Sequence, residues 1–140
     1  MNLYRKIVRG LFAVIFVAGG VAHLVLGRVA PEGYAVFGET ALLPWLSALW
    51  GSFVMPNIGW LTIVLGIFEI AVGLGMLWRR TARAAAWGML AFLIFITTLG
   101  YGFPTSSFGE DLLKNRVITI AMSGLLVPLL FAGGSSRDPS

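Results

Sequence analysis

Two side chains in this sequence could do chemistry in an apolar setting. Glu69 is the one ionisable residue in the stretch 57–78, NIGWLTIVLGIFEIAVGLGMLW, and His23 is the single histidine of the chain. An acid inside a membrane is costly and usually faces a bundle interior, a partner or a cavity. A carboxyl and an imidazole are also the groups that take up and release protons for a bound ligand. The bland alternatives are a neutral, satisfied core glutamate and a buried imidazole bonded to a neighbouring hydroxyl or carbonyl.

The spacing around each group says where it points. Gly66 and Gly73 lie three before and four after Glu69, so the three share one helix face. Gly19, His23 and Gly27 recur every four residues and form another such face. Faces with glycine are where a second helix approaches closely. At 1.5 Å per residue, Glu69 lies roughly 18 Å below Asn57 and His23 roughly 7 Å below Arg28. A separation of about 10 Å argues against a direct pair unless a helix shifts by a turn. On this scale His23 is instead level with Thr62, Thr97, Thr98, Tyr101 and Ser123, which predicts a polar pocket in the outer half. Glu69, with no charged partner at its depth, is expected to be neutral and to donate to the Gly124 carbonyl that Pro128 frees.

These groups require elements that cross a bilayer. The chain has 140 residues, 58% hydrophobic and 11% charged, where a soluble domain carries about 25% charged residues. The pattern predicts an all-α, polytopic membrane four-helix bundle as a single domain over 1–132. Its spans are 7–27, 57–78, 82–103 and 114–131, and a polar tail follows at 133–140. The basic start and apolar run 11–26 imitate a signal peptide, but no good cleavage site precedes Pro31, so an uncleaved first span is expected.

The connection 28–56 is too long for an idle turn. Its second part, 41–55, is apolar and aromatic but too short to span, which predicts an interfacial or re-entrant helix. Trp45, Trp50 and Trp60 are placed at headgroup level. Arg5, Lys6, Arg9, Arg79, Arg80 and Arg83 make up six of the ten basic residues and flank the spans in two clusters. Setting both clusters on the cytoplasmic side makes this a protein integral to the cytoplasmic (inner) membrane with both termini in the cytoplasm.

The composition excludes as well. Without cysteine there is no disulfide, thiolate metal site or iron–sulfur cluster, and one histidine cannot make a bis-histidine haem site. No nucleotide-binding loop, metal-ligand spacing or self-contained catalytic motif is present. The net charge of +4 reflects membrane orientation rather than nucleic-acid binding.

Four stretches resemble the DoxX and DoxX-like family of small four-helix membrane proteins. They are AGGVAHLVLGRVAPEGYAVFG at the end of the first span, GIFEIAVGLGMLW of the second, the basic, alanine-rich RRTARAAAWGML, and Lys114-Asn115 before the last span. The resemblance implies an accessory subunit of a membrane redox complex, with His23 and Glu69 lining a site for a quinone or similar lipid-like molecule. Since the chain has no redox centre of its own, electrons must then come from another subunit or a bound cofactor. Two further readings stand beside it. One is a non-catalytic assembly subunit of a larger membrane complex or homo-oligomer. The other is a small transporter using Glu69 as a proton or ion site.

Overall fold

The computed structural model describes residues 2–131; the polar tail expected at 133–140 lies outside them. All regular elements among the described residues are helical. The first, α1 (Leu3–Val29), is capped by Asn2, whose side chain accepts from the Tyr4 N–H at 3.1 Å. A 3-10 turn (Pro31–Tyr34) and the short α2 (Val36–Glu39) follow. Next come α3 (Pro44–Leu49), a π turn (Trp50–Val54) and a 3-10 turn (Met55–Asn57), which run into α4 (Ile58–Gly75). After α5 (Ala82–Leu99) the chain forms α6 (Phe108–Asp111), a π turn (Leu112–Arg116) and α7 (Val117–Leu130). Four helical stretches, Leu3–Val29, Pro44–Gly75, Ala82–Leu99 and Phe108–Leu130, are long and apolar enough to cross a membrane. The protein is an integral membrane helical bundle.

Boundaries differ from the sequence expectation where polar groups cap a helix early. The second span stops at Gly75 rather than 78. There the buried Arg9 donates through Nε to the Met76 carbonyl at 2.6 Å, and the Thr81 hydroxyl donates to the Gly75 carbonyl at 2.7 Å. Arg9 thus turns inward, whereas Arg79, Arg80 and Arg83 remain exposed. The third span stops at Leu99 rather than 103 because Gly100 takes φ +83°, a conformation open to a residue without Cβ. The segment 41–55 is not set apart from the second span; it leads into it as one helical run from Pro44.

The helices pack in sequence: α1 against α4, α4 against α5, and α5 against α7. The α1–α4 seam is the tightest. A Cβ on Gly20 would lie 2.5 Å from the Gly66 carbonyl oxygen, and one on Gly66 would lie 2.7 Å from that of Gly20. Further along, Gly27 meets Thr62 and Gly73 meets Val17. The main core lies toward the end bearing the basic clusters, where Phe12, Phe16, Met76, Met89, Leu93 and Leu126 are buried together. A second cluster of Leu46, Trp50 and Leu99 sits at the opposite end, hereafter the loop end.

The loop end is held by a polar clamp. Arg116, 4% exposed, pairs through Nε with Asp111 at 2.7 Å and donates to the carbonyls of Thr97 and Thr40. Asn115 is fully buried and accepts from the N–H groups of Tyr101 (3.2 Å) and Phe103 (2.9 Å). The Leu42 N–H donates to the Thr98 carbonyl and the Thr40 hydroxyl to that of Leu99. The last carbonyls of α5, orphaned at any helix end, are satisfied by this clamp.

Candidate functional site

His23 and Glu69 meet. Nε2 of His23 lies 3.4 Å from Oε2 of Glu69, which overturns the expectation that the two are held apart. Two features close the gap. First, Gly20 faces Gly66 and Gly27 faces Thr62, so the level of Arg28 falls about four residues below Asn57, not beside it. That removes roughly 6 Å from the estimated separation. Second, side chains tilt toward the N-terminus of their own helix, and α1 and α4 are antiparallel, so these two tilt toward each other. Gly19 provides the room: a Cβ there would sit 3.3 Å from Oε1 of Glu69.

The other ring nitrogen is also engaged. Nδ1 of His23 shares a 2.6 Å hydrogen bond with the hydroxyl of Tyr34, on the turn that follows α1. A phenol donating to Nδ1 leaves the neutral ring its proton on Nε2, facing Glu69. Tyr34 is 7% exposed, and burial, with the Glu69 carboxylate adding to it, pushes its phenol up from the usual range. Its carbonyl accepts from Nε1 of Trp50 at 2.8 Å, which locks the turn onto the lead-in to α4. Trp50 is therefore buried against the protein, whereas Trp45 and Trp60 are exposed.

A cavity of about 230 Å³ opens beside this pair, lined by His23, Glu69, Tyr101 and Thr119 among apolar residues such as Phe16 and Phe92. The Oε2 atom of Glu69 is buried at its edge and makes no hydrogen bond among the described residues. An apolar chamber with a few convergent polar groups is the usual form of a small-molecule site. Among the described residues no cluster of three metal-ligating side chains occurs.

Of the residues expected in the pocket, His23, Glu69 and Tyr101 line it, and Thr62, Thr97, Thr98 and Ser123 do not. Each of those four hydroxyls bonds a carbonyl of its own helix, those of Thr62, Thr97, Thr98 and Ser123 reaching Ile58, Leu93, Ile94 and Thr119 respectively. Thr62 is further committed to the α1–α4 seam. Nor does Glu69 reach the carbonyl freed by Pro128; in that region the Tyr4 hydroxyl donates instead to the Leu125 carbonyl at 2.7 Å. Tyr34 and Thr119 escaped the sequence reading. Both belong to segments whose placement depends on the folded loop end, and no spacing rule ties either to His23.

In comparisons with known proteins, no family model, curated protein or solved structure matches the chain.

Proposed function

We propose that the protein is a DoxX-like subunit of a membrane redox complex and that its cavity takes the headgroup of a quinone. The observation that carries this reading is the His23–Glu69 pair at the wall of an apolar chamber, with Oε2 of Glu69 lacking a hydrogen-bond partner among the described residues. A quinone offers two carbonyls on an apolar ring, and its reduced form offers two hydroxyls. Glu69 and His23 are the partners such groups need, and the surrounding apolar side chains suit the ring.

The volume sets the mode of binding. At about 230 Å³ the chamber is smaller than the roughly 300–1,000 Å³ of drug-sized sites, so it fits a headgroup while an isoprenoid tail lies in lipid. Electrons come from another subunit, because this chain contributes apolar contacts, hydrogen bonds and protons only. The loop end faces outward, and the basic clusters with both termini face the cytoplasm, as loop charge favours. The lead-in helix α3, with exposed Trp45, lies at headgroup level on the outer side.

Binding of decylubiquinone and of a short-chain menaquinone to the whole protein in nanodiscs tests this. Hydrogen bonds to ionisable groups contribute about 1.5–3 kcal/mol, so Glu69→Gln and His23→Ala should each weaken binding by about tenfold or more. Thr98→Ala, outside the chamber, should bind as wild type does. Absence of binding to the wild type would overturn the reading and leave an assembly role.

A further inference from the structure

We propose that Glu69, His23 and Tyr34 form a proton relay from the cavity to the loop end of the membrane, with Tyr34 as its terminal member. The proposal rests on the quinone reading only for what the relay serves.

Three placements carry it. His23 and Glu69 line the cavity while Tyr34 does not, so the chain of contacts leads away from the ligand space. The two ring nitrogens face different partners, Nε2 toward Oε2 of Glu69 at 3.4 Å and Nδ1 toward the phenol at 2.6 Å. An imidazole held this way can accept a proton on one side and release one on the other. The first gap closes by rotation of the terminal carboxyl torsion, which is broad and weakly restrained. At the far end, Tyr34 sits on the Pro31–Tyr34 turn, outside the four apolar spans and between exposed Gly33 and Ala35.

The surroundings keep the path single. Phe37 and Trp50 follow Tyr34 in a run of tilted rings, with centroids 6.0 Å (Tyr34–Phe37) and 6.3 Å (Phe37–Trp50) apart. The nearest charged groups on these elements point elsewhere. Arg28 donates to the Leu24 carbonyl, and Glu32 is exposed. On the cavity side, Thr119 donates to the Arg116 carbonyl.

The transfer balances without any electron movement in these residues. Starting from the ring with its proton on Nε2, that proton passes to the Glu69 carboxylate and on to a ligand oxygen, as the phenolic proton passes to Nδ1 and water restores the proton on the phenol oxygen. Each member gains one proton and loses one, and return of the ring to its starting tautomer resets the path. Release from the cavity to the loop end starts from the other tautomer and runs the same steps in reverse.

The test uses the single histidine. With imidazole-15N-labelled histidine, the whole protein in nanodiscs gives ring signals from His23 alone. Exchange of the ring N–H with water should slow at least tenfold in Tyr34→Phe and should not slow in Glu69→Gln. Unchanged exchange in Tyr34→Phe overturns the relay, as does equal slowing in Glu69→Gln, which would mean that water enters through the cavity. As a second probe that spares the fold, 3-fluorotyrosine in place of tyrosine should shift the Nδ1 resonance, since a more acidic phenol donates more strongly; no shift also overturns the proposal. Decylubiquinone binding is read separately. Loss of the relay with binding intact refutes only the relay, and the converse refutes only the quinone assignment.

Discussion

Gly20→Ala is the sharpest test of how the two spans bring His23 to Glu69. The new Cβ would lie 2.5 Å from the Gly66 carbonyl oxygen and 2.7 Å from Cγ1 of Ile70. Ordinary contact begins near 3.4 Å, so the helices must separate by up to 3.4 − 2.5 = 0.9 Å at the crossing. The close neighbour is backbone, which cannot rotate away as a flexible side chain would. Overpacking of this kind costs about 1–3 kcal/mol, against which alanine returns up to about 1 kcal/mol of helix propensity. With the full propensity gain the expected net loss is about 0–2 kcal/mol, up to roughly a 30-fold rise in the unfolded fraction. Reversible unfolding in mixed micelles measures it. Gly124→Ala in α7 is the control, because a Cβ there meets nothing within 4 Å. It should be neutral or slightly stabilising. The same separation stretches the 3.4 Å gap between His23 and Glu69, so ligand binding should weaken with stability. A Gly20→Ala protein as stable as the Gly124→Ala control would refute the seam geometry.

Arg116→Ala removes a guanidinium that is 4% exposed, ties three segments together and balances Asp111. Breaking a buried pair by deleting one partner costs about 3–5 kcal/mol, so this variant should unfold at markedly lower denaturant, and an effect under about 1 kcal/mol would argue against the clamp. Single-tryptophan variants should separate Trp60, 51% exposed, from Trp50, 9% exposed: brominated lipids should quench the first strongly and the second weakly. Equal quenching would mean that Trp50 is not tucked beneath the 31–40 segment.

Much of the architecture was legible because a bilayer imposes a simple constraint. Spans must be apolar and about 20 residues long, and basic residues must flank them. The sequence also marked Gly66, Glu69 and Gly73 as one face, and the structure sets that face against α1. Helix ends were less legible. α4 ends at Gly75, where Arg9 takes the Met76 carbonyl, and α5 ends at Leu99, where Gly100 turns the chain and the Thr40–Arg116 clamp takes the last carbonyls.

The candidate site was half visible. His23 and Glu69 stand out by chemical type, whatever their surroundings. The hydroxyls assigned beside them failed because depth alone does not say which way a side chain turns, and threonine in a helix readily bonds its own backbone. Composition and hydropathy by themselves determined a helical membrane protein with one acid and one imidazole in its spans. Only the tertiary structure decided that the two touch, that Tyr34 joins them, and that a cavity lies alongside. Those outcomes depend on the register of α1 against α4 and on the folding-back of the 31–43 segment. Both are fixed by glycine contacts and polar caps between residues far apart in the chain, which no local pattern records.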